Sequence, residues 1–209
     1  MIRPDGILGI AFGTLHDGDP RHDDSARMVA SESLGIPSEW AWVRQVHGTV
    51  VAEPTGPGAG AEADSLITTD PSLPVAVSVA DCLPVALLAD GAVGLAHAGW
   101  RGVAAGIVPT TIAALTERGY SPHTAVIGPG IGPCCFEVGE TVATQFPACR
   151  ARTSWGTLSV DLPGAVAAAF DGLEVHTMPG CTRHEDRFYS YRRDGTSLRQ
   201  FGVAWVAAA

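Results

Sequence analysis

Residues 80–102 read ADCLPVALLADGAVGLAHAGWRG: two short apolar runs, with a cysteine ahead of the first and a histidine closing the second. The run at 75–80 that precedes them is β-branched and ends at Asp81-Cys82, and Pro84 restricts an ordinary ladder there. Cys82 is therefore expected in a turn or bend at a strand end. His97 falls at the end of the run 92–96, just before a Gly99/Gly102 turn and a helix expected to begin near Val103. A strand, a glycine-bearing turn and a helix start aim free backbone N–H groups at one point, which suits an anion. Arg101 stands at the mouth of that turn with a planar donor fork fitted to phosphate or carboxylate.

Outward from this stretch, runs of strand length recur at 7–12, 41–46, 49–52, 75–80, 85–88, 92–96, 124–127, 173–177 and 202–206. Stretches at about 23–35, 103–118 and 161–170 carry small or apolar residues at helical spacing. The two kinds of element do not alternate strictly. The expected fold is thus α/β in the α+β sense, a single compact domain over residues 1–209 with mixed β-sheets flanked by helices. The segment EPTGPGAGAEA at 53–63 reads as a Gly/Pro/Ala loop. The apolar end FGVAWVAAA reads as a last core strand or as a strand that pairs with a neighbouring chain.

Composition narrows the chemistry. All 13 basic residues are arginine, and there is no lysine or asparagine, which removes a Schiff-base lysine, a pyridoxal-phosphate anchor and a phosphate-loop lysine. A net charge of −9 without an acidic tail opposes nucleic acid and acidic membrane surfaces as partners, although a local arginine cluster can still hold one small anion. With no export signal and no apolar run of membrane length, a soluble, cytoplasmic protein is expected. The five cysteines, at 82, 134, 135, 149 and 181, are then thiols or ligands rather than a disulfide framework.

A third candidate joins Cys82 and His97. In WVRQVHGTVV a β-rich run is interrupted by His47-Gly48 and resumes. Two histidines and a cysteine form a ligand set that a catalytic zinc site often uses, with the fourth position left for water or substrate. Their sequence spacing is not a finger pattern, and the weight of the reading rests on all three lying at strand ends. Each has a structural alternative: Cys82 in the core, His97 capping a turn, His47 hydrogen-bonded within the fold, Arg101 in a surface ion pair. The element VIGPGIGPCCFEVG at 126–139 has glycines but too many prolines for a dinucleotide fingerprint. It reads either as a rigid loop whose backbone, at Gly128 and Gly130, approaches a ligand closely, or as a plain pair of tight turns. Cys134 and Cys135 within it read as thiols beside a turn. CTRHEDRFYSYRRDG at 181–195 is either a wall of an anionic or nucleobase pocket or a solvated face with its aromatics turned inward.

Taken together, RQVHG (44–48), ADSLITTDP (63–71), ADCLPVALLAD (80–90), HAGWRG (97–102), IGPGIGPCCFEVG (127–139) and CTRHEDRFYSYRRDG (181–195) resemble the YfiH family, also called the laccase-domain or multicopper polyphenol oxidase-like family. The resemblance runs from about residue 40 to the C-terminus. It implies a fold similar to that of a bacterial cytotoxic deamidating factor that uses a cysteine and a histidine. It also implies a zinc site formed by His47, Cys82 and His97, and phosphorolysis of adenosine, inosine, guanosine and methylthioadenosine together with deamination of adenosine. Purine nucleosides and phosphate are the implied partners.

The residues are compatible with that chemistry. Arg101 and Arg44 could hold phosphate near the Gly99–Val103 turn, and the loop at 128–133 could cover the base. Asp81 and Glu137 are the candidate proton donors, each with a structural alternative. Of three rivals, the first is excluded. A laccase needs many histidines and His-x-His pairs, whereas this chain has seven histidines and no such pair, which leaves copper only an adventitious place in the His2Cys set. A metal-free Cys-His hydrolase would use Cys82 as nucleophile and His97 or His47 as base. A binding module would sense a purine or a metal without turnover.

Overall fold

The computed structural model describes residues 1–207. Two mixed sheets form its centre. The first is five-stranded, in the order β1 (Ile10–Phe12), β13 (Gln200–Ala204), β6 (Val75–Val79), β2 (Ala41–Arg44), β4 (Gly58–Glu62). The second is six-stranded, in the order β12 (Glu174–Thr177), β9 (Thr124–Ile127), β7 (Leu83–Ala89), β8 (Ala92–Ala98), β5 (Ser65–Thr68), β3 (Val51–Ala52). A separate antiparallel pair is made by β10 (Arg150–Arg152) and β11 (Leu158–Val160). The α/β class with mixed sheets and flanking helices is thus the class expected from the sequence.

Period-two burial explains how the sheets stack, because alternate side chains leave a strand on opposite faces. Val75, Val77 and Val79 of β6 meet Ala86 and Leu88 of β7 and Val93 and Leu95 of β8 in one cluster between the sheets. The other face of the first sheet, with Ala76, Phe201, Val203, Trp40 and Trp42, packs under α1 (Asp24–Leu34) through Ala30. The other face of the second sheet, with Val85, Ala96 and Ile127, is covered by α2 (Trp100–Ala105), α3 (Ile107–Thr116) and α5 (Leu162–Ala167). Two one-turn helices, α4 (Glu140–Ala143) and α6 (Tyr191–Asp194), sit in the connections.

Four expectations change. Pro84 lies inside β7, where it pairs with His97 across to β8. Its carbonyl accepts from Gly128 N–H at 2.8 Å, so its missing N–H faces the β9 side. There the ladder begins only at Val85↔Ile127, and no bond to β8 is lost. His97 is not at the strand end, since β8 runs on to Ala98. The helix expected from Val103 begins at Trp100 and is divided at Gly106, whose φ of 92° is left-handed backbone that ends α2 before α3 starts. The 53–63 loop contains β4, whose GAGAE sequence is exposed and is held to β2 by parallel pairing and the Arg44–Glu62 ion pair. At the C-terminus, β13 is an interior strand between β1 and β6; residues 208–209 lie outside the described residues.

Candidate active site

Three segments deliver the candidate site. His47 comes from the loop after β2, Cys82 from the bend between β6 and β7, and His97 from β8. Their ligating atoms all lie within 4.8 Å of one another. Cys82 Sγ is 3.8 Å from His47 Nε2, and the two imidazoles meet edge to face with centroids 4.8 Å apart. Gly99 leaves room for this convergence, because a Cβ there would sit 2.8 Å from His47 Cδ2 and 3.0 Å from Cys82 Sγ.

Asp64 organises the cluster from beneath. His47 has a left-handed backbone, φ 62°, uncommon for a residue with a side chain. The fully buried Asp64 carboxylate fixes that turn by accepting from the backbone N–H of Val46 (3.1 Å), His47 (2.9 Å) and Gly48 (2.6 Å). The same carboxylate accepts from His97 Nδ1 at 2.8 Å. An ionised carboxylate only accepts, so His97 Nδ1 carries a proton toward it, and Nε2 is the nitrogen left to serve as a ligand once the ring is neutral. Burial works to raise the Asp64 pKa, but the His97 ring and the three N–H groups outweigh it and hold the acid below its ordinary range.

Cys82 and His97 perturb each other in the same way. Burial disfavours the Cys82 thiolate, yet the facing His97 charge and the His47 hydrogen bond prevail and bring the thiol down to about 6. For His97, burial disfavours the cation, but the Cys82 sulfur and Asp64 raise it to about 9. Without a metal the pair is therefore thiolate and imidazolium near neutral pH.

The cluster opens into a cavity of about 590 Å³ that includes Trp100, Phe136 and Tyr191 as aromatic walls. Five arginines line it: Arg21, Arg44, Arg101, Arg192 and Arg199. Arg101 lies over the Trp100 ring at 4.3 Å, while Arg44 is ion-paired with Glu62. The buried Ser78 Oγ, which has no protein partner, also belongs to a lining residue. Gly128 and Gly130 do not line this cavity. Their Cα atoms are packed against Phe12 and Pro84, and against Leu83 and the Asp81 carbonyl, respectively.

Neither candidate proton donor is free. Asp81 accepts from Thr182 Oγ1, Ser190 Oγ and Arg192 N, each at 2.7 Å, and so ties the C-terminal segment to the Cys82 bend. Glu137 accepts from Trp155 Nε1 at 2.7 Å and lies outside the cavity lining. The segment 181–195 combines its two alternatives: Tyr191 and Arg192 face the cavity while Phe188 is fully buried.

Sequence reasoning missed Asp64, Arg21 and Arg199, each of which reaches the site through a long-range contact. It also missed a second cluster. Cys181 joins Cys134 and Cys135, with all three sulfurs within 4.8 Å of one another. Burial, reinforced by the neighbouring thiols, pushes the Cys134 thiol up to about 12.

Comparison with known proteins places the chain among similar ones. A family model described as multi-copper polyphenol oxidoreductase laccase matches residues 9–207, beginning well before residue 40. The chain is 37% identical to a purine nucleoside phosphorylase of Streptomyces coelicolor, covering 96% of this chain and 91% of that protein. It is 35% identical to the purine nucleoside phosphorylase YfiH of Escherichia coli over 91% of this chain and 84% of that one. The crystal structure of YlmD from Geobacillus stearothermophilus superposes with a TM-score of 0.78 at 29% identity, covering 96% of this chain and 92% of that one.

Proposed function

This chain belongs to the YfiH or laccase-domain family, and on that premise we propose that it is a purine nucleoside phosphorylase whose His47, Cys82 and His97 hold a zinc ion. The observation that carries the reading is the convergence of these three ligands in a cavity with both aromatic walls and arginines. The relatives named purine nucleoside phosphorylase support the substrate class.

The donor set fits zinc. Tetrahedral coordination at ordinary bond lengths separates a sulfur and a nitrogen ligand by about 3.6 Å, close to the 3.8 Å between Cys82 and His47. The Asp64–His97 contact is the carboxylate–histidine arrangement that orients a metal-binding imidazole. Held by His47, Cys82 and His97, zinc would supply a Lewis acid and a means of making water nucleophilic near neutral pH. The same three ligands accommodate copper adventitiously.

The protein's own groups account for nucleoside and phosphate binding. Trp100, Phe136 and Tyr191 offer faces on which a purine can stack. Arg101, with Arg44, Arg192 or Arg199, supplies guanidinium forks for phosphate. In phosphorolysis a phosphate oxygen bonds to ribose C1′ as the C1′–N9 bond breaks, and the purine leaves with the electron pair and takes up a proton. In adenosine deamination water adds at C6 and ammonia departs. Methylthioadenosine enters the proposed substrate range through the family resemblance alone.

The test is incubation of metal-replete protein with inosine, adenosine or methylthioadenosine, with and without phosphate. Phosphate-dependent appearance of free base and ribose 1-phosphate is the expected result, and inosine from adenosine reports deamination. Intact nucleosides would overturn the assignment. One observation favours a second reading: Cys82 sits against His47 and His97, with its thiol lowered and the His97 ring raised, an arrangement that a Cys-His hydrolase also uses. Covalent acyl-enzyme formation at Cys82 in chelator-treated protein would select it.

A further inference from the structure

We propose that Cys134, Cys135 and Cys181 form a second cation site, specific for a soft, thiolate-seeking ion such as monovalent copper or zinc. It is separate from the His47, Cys82 and His97 set and does not depend on the phosphorylase reading.

The geometry rests on three sulfurs brought together from two segments. Cys134 and Cys135 are on the turn after Gly132, and Cys181 lies 46 positions beyond Cys135 on the strand-like bridge that pairs with Gly130. The Cys134 and Cys135 sulfurs are 3.4 Å apart, and all three lie within 4.8 Å of one another. A cation bound to three thiolates at about 2.3 Å each places the sulfurs about 4 Å apart, inside the observed range. A disulfide, by contrast, joins only two sulfurs and leaves the third without a role.

The surroundings offer the cluster a backbone donor and a way in. Gly132 N–H already donates to Cys181 Sγ at 3.2 Å, the kind of contact that supports a metal-bound thiolate. Cys134 and Cys181 are only half buried, which gives an ion a route in. On binding, each thiol that becomes a ligand releases its proton to solvent. Three sulfurs alone complete a trigonal site for monovalent copper, whereas zinc needs a fourth ligand from water.

Such a site bears on the first one. It would clamp the 130–136 loop, which supplies Ile131 and Phe136 to the cavity, to the segment that holds Asp81 through Thr182. Ile131 N–H in turn donates to the Asp81 carbonyl at 2.8 Å, one residue from Cys82.

The experiment uses the full chain, stripped with chelator under reducing, anaerobic conditions and loaded separately with cuprous copper or zinc. Bound metal is counted and each cysteine is mapped by alkylation and mass spectrometry. At about ten times the Kd a bound site is free roughly a tenth of the time. One or both ions should therefore slow alkylation of Cys134, Cys135 and Cys181 together by about tenfold and leave Cys149 unchanged. The protecting ion identifies the occupant. Cys134→Ser and Cys181→Ser should each lose one bound ion while Cys82 stays protected. Because the alkylation map is read on the unaltered chain, it decides even if a variant fails to fold. Unchanged alkylation of the three cysteines with both ions, or a disulfide among them after loading, overturns the proposal.

Discussion

Replacing Asp64 by Asn keeps the side chain's shape but removes the charge shared by three backbone N–H groups and the His97 imidazole. The carboxylate is fully buried, so Asp64→Asn should cost about 3–5 kcal/mol of stability and weaken metal binding by about 10–100-fold. Denaturant melts and a chelator competition measure the two effects. Cys82 and His97 give a second prediction, in which reactivity and stability part company. The depressed Cys82 pKa adds stability that is present above the unfolded thiol's 9.0 and fades as pH falls through about 6. The raised His97 pKa adds stability that is present below the unfolded 6.5 and fades as pH rises through about 9. The signs oppose, so between the two unfolded values the folded and unfolded chains carry the same number of protons on this pair. Metal-free protein should therefore show little pH dependence of stability from this pair over that window, while Cys82 alkylation rises through about pH 6. In His97→Ala the alkylation midpoint should return toward the ordinary thiol range; an unmoved midpoint would show that His97 does not set it.

At the scale of elements, Gly106 decides where one helix becomes two. Its φ of 92° is costly for any residue with a Cβ, so Gly106→Ala should destabilise the fold by about 1 kcal/mol, seen as a lowered Tm. The β-branched and apolar runs that became β6, β7, β8 and β9 were legible because burial on both faces leaves a hydrophobic signature in the sequence itself. β4 was not, since GAGAE has no apolar alternation and, the Arg44–Glu62 ion pair apart, is joined to β2 by its backbone. For the same reason Pro84 misled: its effect depends on which neighbour its missing N–H faces, which only the assembled sheet decides. His47, Cys82 and His97 could be picked out by residue type beside breaks in apolar runs, and their convergence is a fact of the fold. Asp64 sits in a stretch with no local sign of its task, and Cys181 lies 46 residues from Cys135. Contacts of that range leave no periodicity to read.

The whole molecule carries −9, yet five of its 13 arginines line one cavity. Phosphate should therefore bind by local guanidinium contacts against an unfavourable overall field. Arg101→Ala is expected to raise the KM for phosphate by about tenfold, equivalent to about 1.4 kcal/mol, and to change the KM for inosine much less. Equal changes in both would place Arg101 with the nucleoside instead. Thr182, Ser190 and Arg192 hold Asp81, so the C-terminal segment that brings Arg192 to the cavity is tied to the Cys82 bend more than 100 residues away in the chain.

The most direct test of the central claim couples metal to turnover on the same samples: bound zinc and phosphate-dependent release of hypoxanthine from inosine, measured for the unaltered protein and for Cys82→Ala. The account predicts about one zinc per chain in the His2Cys set, with both that ion and base release lost in Cys82→Ala while the variant remains folded. Undiminished phosphorolysis in a Cys82→Ala protein that has lost this zinc would contradict it.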